Sequence, residues 1–302
     1  MLNRLGLLAA ALLVAFSAVC SPSLRAQDWA KTRLEASPRH REYAAVKHDG
    51  RTVQTFVVYP EVKQKAPVIV LIHEIFGLSD WAKEMADELA AQGYIVVAPD
   101  LLSGDGPSGG GTDSFSGQDA VTKAVSGLNA DRVNADLDAV ADYAKKLPAA
   151  NGKLYVTGFC WGGGKSFAFA AHRPDLSAAF VFYGPGPENV STVTAPVYGF
   201  YAGNDARIGA TIPGTTQAMK TAGKTYEPVT YDGAGHGFMR AGEAPDASPE
   251  NKKARDEAFA RMLKVIQETG GHAMLQQPNR SMRAAAKKPA AEVSCHDPSM
   301  AM

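Results

Sequence analysis

The chain has 302 residues, 45% of them hydrophobic and 21% charged, enough apolar material for a substantial core, and this excludes a chain disordered throughout. Its 31 lysines and arginines match 31 aspartates and glutamates. The chain therefore lacks the basic excess that nucleic acid or an anionic lipid surface would demand, and a small-molecule partner is expected.

The first 26 residues carry Arg4, an apolar run from Leu5 to Val19, and a short polar stretch ending in Ala26. The pattern predicts a secretory signal peptide over 1–26, cut after Ala26; the apolar run falls short of the roughly 20 residues of a membrane span. Lipidation at Cys20 is the weaker alternative, because Val19 before it is bulky. Export to the periplasm or medium follows, with no stable membrane insertion after cleavage. Only Cys160 and Cys295 would remain in the mature chain, too few for a disulfide scaffold.

From Val53 onward apolar runs alternate with helical stretches, which predicts a mostly parallel sheet flanked by helices on both faces. The strands expected in order are "VQTFVVY", "PVIVLI", "YIVVAP", "KLYVTG", "AAFVFYG", "PVYGFYAG" and "YEPVTYD". Between them, Trp81, Met85 and Leu89 mark one helix closed by Gly93. A second runs from Ala130 through Val133, Leu137, Val140 and Ala144 to Pro148. A last one opens on Ser248 and Pro249, carries Phe259, Met262, Leu263 and Ile266 inward, and ends at Gly270. The stretch from Ser103 to Gly117 is rich in glycine and serine and reads as a mobile loop, either a lid over a site or a plain surface connection. The tail at 271–302 has the composition of a disordered segment. One folded domain over 43–270 is expected.

"GFCWGGG", Gly158 to Gly164, follows the strand-like "KLYVT". Strand, GxCxG, then helix is the pattern of a nucleophile elbow, with cysteine where serine is commoner. So sharp a turn strains the backbone and crowds its neighbours, hence Gly158 and Gly162. Cys160 would stand at a helix N-terminus, where the dipole favours negative charge on sulfur.

A thiol nucleophile needs a base and an acid to orient it. Loops leaving the C-terminal ends of parallel strands converge on one edge. Three such loops carry candidates: "HEIFG" with His73 and Glu74, "NDARIG" with Asp205, and "GAGHGF" with His236. The order Cys160, Asp205, His236 is that of nucleophile, acid and histidine in hydrolases of this kind; Asp232 competes with Asp205, and Asp100 reads as a turn former after its strand. HExxH zinc chemistry is excluded, since Gly77 stands where the second histidine belongs, and no metal or organic cofactor is expected.

With "HEIFG", "PDLLSG", "GFCWGGG", "AGND" and "GAGHGF" in this order, the sequence resembles the dienelactone hydrolase (carboxymethylenebutenolidase) family from about Tyr43 to Thr269. The resemblance implies an α/β-hydrolase fold and a Cys160–His236–Asp205 triad. It also implies that Glu74 helps control the resting thiol, that the backbone N–H groups of Ile75 and Trp161 form the oxyanion hole, and that Arg240 pairs with Glu74 and helps bind a substrate carboxylate. A second carboxylate-binding arginine expected after "PDL" is missing, for Leu102, Ser103 and Gly104 stand there. The expected activity is hydrolysis of lactones or activated esters through a thioester; the alternatives are a broad carboxylesterase and an inactive binding protein of the same fold.

Overall fold

A computed structural model of the protein describes residues 28–270. The expected leader, the tail at 271–302, Cys20 and Cys295 lie outside the described residues. In chain order the elements are α1 (Asp28–Ala36), β1 (Arg41–His48), β2 (Arg51–Val58), β3 (Ala66–Ile72), α2 (Asp80–Ala91), β4 (Ile95–Pro99), α3 (Gln118–Ser126), α4 (Ala130–Lys145) and β5 (Ala150–Phe159). They continue with α5 (Trp161–His172), β6 (Ala178–Phe182), β7 (Val197–Ala202), α6 (Ala206–Gly209), α7 (Ile212–Thr221), β8 (Tyr226–Tyr231), α8 (Phe238–Ala241) and α9 (Pro249–Glu268).

The eight strands form one sheet in the order β1-β2-β4-β3-β5-β6-β7-β8, parallel from β4 to β8, with β1 antiparallel to β2 and β2 antiparallel to β4. Side chains along a strand point alternately to its two faces. In β3, Ile69 and Leu71 accordingly enter a core with Trp81 and Met85 of α2 and Met262 of α9. Val68, Val70 and Ile72 enter the opposite core with Leu137 and Val140 of α4 and Phe167 of α5. Helices thus cover both faces, and every residue of β3 is buried, which is why that strand reads as an unbroken apolar run.

All seven expected strands are present. β1 is an addition, obscured by its polar edge character: Arg41, Glu42, Lys47 and His48 leave one buried residue, Val46. Charged edges of this kind deter pairing with other chains. Its signal was the "DG" hairpin turn, where Asp49 and Gly50 take φ values of 44° and 75°, the left-handed pair that such turns require. The folded unit also reaches back beyond residue 43, because α1 buries Ala30 in the α2–α9 core. Helices α3 and α7 were likewise not expected. Val121 and Val125 of α3, one helical turn apart, pack on Leu102.

The segment from Ser103 to Gly117 is tied down from inside. The Asp100 carboxylate accepts from the N–H of Leu102 (3.1 Å) and from both the N–H and the hydroxyl of Thr112 (2.7 Å each). The Thr112 hydroxyl in turn accepts from Leu78 N–H. Asp100 is thus a turn former that also gathers the far end of the loop. Two short 3₁₀ turns, at Pro107–Gly109 and Thr112–Ser114, replace the expected absence of regular structure. Ser103, Gly104 and Gly109 to Gly111 line a groove with Arg51; none of them lines the cavity at Cys160.

An acidic cluster joins the α1, α2 and α9 helices. Glu84, Glu88 and Glu243 bring carboxylate oxygens within 4.8 Å of one another. Arg255 bonds Glu88 and Glu243, Trp81 donates to Glu243 (2.9 Å), and Arg33 of α1 lies 3.8 Å from Glu84. Burial, and then the charge of Glu88, push the Glu84 carboxyl up to about 7. A carboxyl whose folded pKa is raised holds its proton in the native state after the unfolded chain has lost it. Its contribution is full below about pH 4.5 and is lost as pH rises through about 7. Glu84→Gln, which keeps the shape without the charge, should therefore flatten the decline in melting temperature between pH 5 and pH 8. It should also raise stability at pH 8 by on the order of 1–2 kcal/mol, as calorimetry at the two pH values would show.

Candidate active site

The parallel registers align the strand ends. Ile72 pairs with Gly158, Phe159 with Phe182, Phe182 with Phe200 and Ala202 with Tyr231. Chain leaving each of these strands therefore emerges at one edge, and Glu74, Cys160, Tyr183, Asp205 and His236 all lie just past such an end.

Cys160 sits at φ 57°, ψ −115°, between β5 and the first residue of α5. A non-glycine residue with positive φ is uncommon and stores strain. The surrounding contacts hold it there: its N–H donates to Phe182 O and its carbonyl accepts from Gly163 N–H. The glycines are needed for approach. A Cβ on Gly158 would lie 1.9 Å from Gly162 O, and one on Gly162 would lie 2.4 Å from the carbonyl oxygens of both Ile72 and His73.

His236 Nδ1 donates to Asp205 Oδ2 at 2.5 Å, and Asp205 Oδ1 accepts from Ile208 N–H at 3.2 Å. Asp205 is buried, whereas Asp232, the competing acid, is exposed. With Nδ1 bound to the carboxylate, Nε2 is left to the sulfur. Hydrogen bonding to Cys160, opposed by partial burial and aided by Asp205, lifts the imidazole pKa to about 8.

Glu74 is buried, and Arg240 Nε donates to its Oε2 at 2.8 Å. Burial raises the Glu74 pKa more than the neighbouring guanidinium lowers it, leaving a carboxyl whose proton is sensitive to small movements of Arg240. The guanidinium itself lies over the Phe76 ring. Ile75 and Trp161 line the same cavity as Cys160, a space of about 390 Å³. Trp161 opens α5, so its N–H is among the helix donors that lack an intrahelical acceptor. Buried His73 donates from Nδ1 to Glu74 O and stacks on the Trp161 ring at 5.6 Å, buttressing this wall.

Sequence reasoning passed over Tyr183. Fully buried and at φ 40°, it packs edge-on against His236 at 5.0 Å, and it lines the cavity beside Cys160. Its hydroxyl approaches Glu74 without completing a well-aligned hydrogen bond. Burial, and then the Glu74 charge, hold its pKa well above the usual phenol value. In sequence it is one more aromatic at the end of a buried strand; only its strained position sets it apart.

Residues 53–270 match the model of the dienelactone hydrolase family. The chain belongs to the dienelactone hydrolase family. Relatives include a chain of Salmonella typhi assigned as a carboxymethylenebutenolidase, 31% identical over 245 residues and spanning 75% of this chain and 87% of its own. A carboxymethylenebutenolidase of Pseudomonas putida is 31% identical over 202 residues, covering 64% of this chain and 83% of its own. Among solved structures, one from Klebsiella pneumoniae assigned as a dienelactone hydrolase superposes with a TM-score of 0.67 at 27% identity, covering 76% of this chain and 99% of that one. Dienelactone hydrolases have the α/β-hydrolase fold, and this chain is an ester-cleaving hydrolase with that architecture. Among the described residues no helix is long and apolar enough to cross a membrane.

Proposed function

We propose that this dienelactone hydrolase relative is an exported enzyme that opens lactones or activated carboxylic esters through a thioester on Cys160. The observation that carries the reading is the meeting of the left-handed Cys160 elbow with the His236–Asp205 pair at one sheet edge.

In this reading His236 Nε2 takes the thiol proton as sulfur adds to the carbonyl carbon. The carbonyl electron pair moves to oxygen, where the N–H groups of Ile75 and Trp161 receive it. Collapse expels the alcohol oxygen, which takes the proton from the imidazolium, and leaves the thioester. Water then adds, giving its proton to His236, and the acid departs as the thiol is restored. Asp205 holds the imidazole's orientation and tautomer. Glu74, balanced between burial and Arg240, governs the resting thiol. Export rests on the 1–26 segment.

The test is intact-mass analysis after rapid quench of the purified protein with a dienelactone and with a panel of p-nitrophenyl esters. The expected result is an acyl adduct that maps to Cys160 and decays with turnover. High turnover across unrelated esters with little on the lactone would make it a broad carboxylesterase. No adduct and no turnover on any member would leave a binding protein of the same fold.

A further inference from the structure

The cavity beside Cys160 has two cations on its wall, Lys165 of α5 and Arg207 of α6, and the described residues that line it include no aspartate or glutamate. Several guanidinium groups elsewhere are tied to acids: Arg173 to Asp138, Asp142 and Asp175, Arg255 to Glu88 and Glu243, Arg240 to Glu74. Among the described residues Lys165 and Arg207 form no such ion pair. Lys165 instead holds its ammonium over the Trp161 ring, 5.2 Å from the centroid. Burial lowers its pKa with no neighbouring acid opposing the shift. A half-buried ammonium without a counter-charge destabilises its surroundings, and a bound anion would relieve that.

Resting on the assignment of Cys160 as nucleophile, we propose that this wall is a carboxylate-binding subsite, in which Lys165 and Arg207 select esters or lactones carrying a free carboxylate on the acyl side. Lys165 and Cys160 line one cavity of about 390 Å³, which limits the acyl group to a short one, such as that of a succinyl or glutaryl half-ester. The rest of the wall near them is apolar, with Ala168, Pro185 and Ile208, which suits a short methylene chain between the two carbonyl groups. Arg207 is exposed, so its share of the attraction should weaken with salt.

The experiment compares the mono-p-nitrophenyl ester of succinic acid with neutral p-nitrophenyl butyrate on the full-length protein and on Lys165→Met, Arg207→Gln and the double variant. The readout is the ratio of the two kcat/KM values. The expected result is a wild-type preference for the anionic ester, carried by KM and reduced by added salt. That preference should fall about tenfold with loss of either cation and further in the double variant. A ratio unchanged in the double variant would overturn the proposal, as would a wild type that prefers the neutral ester. A substitution that lowers both substrates alike would show a packing role for that residue and remove it from the subsite. Calorimetric titration of Cys160→Ala with succinate separates this inference from the reading beneath it. Succinate binding lost in the added double variant, with no acyl adduct in the parent enzyme, would keep the subsite and sink the thioester mechanism. An adduct on Cys160 with no anion preference and no succinate binding would do the reverse.

Discussion

Cys160→Ala should reduce ester and lactone turnover by at least about 10³-fold, to the residue that an oxyanion hole and substrate positioning provide without a nucleophile. The size of the loss follows from what else the cavity holds. Cys160 is the free cysteine of the described residues; besides the imidazole that serves it as base, the nucleophilic side chains among the described residues lining its cavity are the Tyr183 phenol, whose pKa burial drives far up, and the Lys165 amine. Neither stands on the elbow with His236 beside it. Because sulfur and imidazole act on one proton, the double variant Cys160→Ala with His236→Ala should be scarcely slower than either single one. Steady-state rates on a reactive ester, with the mass adduct absent, are the check. Turnover within tenfold of the wild type would remove Cys160 from the chemistry.

Gly158→Ala should destabilise the fold by about 4 kcal/mol or more, the range reserved for a backbone collision with no route of escape. The added Cβ would meet Gly162 O at 1.9 Å and Gly162 C at 2.4 Å, atoms that cannot swing aside as a side chain would. Gly158 is also held in the middle of the sheet, paired with Ile72 of β3 on one side and Val181 of β6 on the other. Relief must come from lifting the first turn of α5, and with it Cys160. Urea unfolding should show the midpoint collapse, or the protein should fail to accumulate folded. Gly214→Ala is the matched control. It lies in α7 with nothing within 4 Å of the new methyl group, and should stabilise by about 0.5–1 kcal/mol through helix propensity. Equal effects at the two sites would contradict the packing at the elbow.

The legible parts of this protein were those encoded locally. Buried strands announce themselves as apolar runs because both faces are covered, and α4 as a stripe at Val133, Leu137 and Val140. The elbow is legible because a strained turn between strand and helix tolerates so few residues around Cys160. β1 was missed for the opposite reason: an edge strand with charged side chains has no apolar alternation to display, and only Asp49-Gly50 marked its turn. Likewise, α1 follows the expected cleavage point and becomes interpretable only through its packing on α2, where Arg33 meets Glu84.

By itself the sequence determined the fold class, the chain order of cysteine, acid and histidine, and the glycines that let the elbow form, since each depends on periodicity or on steric limits within a few residues. Tertiary structure alone decided that Tyr183 stands buried against the imidazole and that Lys165 and Arg207 share a wall with Cys160, and it brought together the expected pairs Asp205–His236 and Arg240–Glu74. Apart from Cys160 and Lys165, which are five positions apart, these pairings join residues tens to more than a hundred positions apart. They arise only when parallel strands bring their ends to a common edge, a geometry that no local pattern of side chains records.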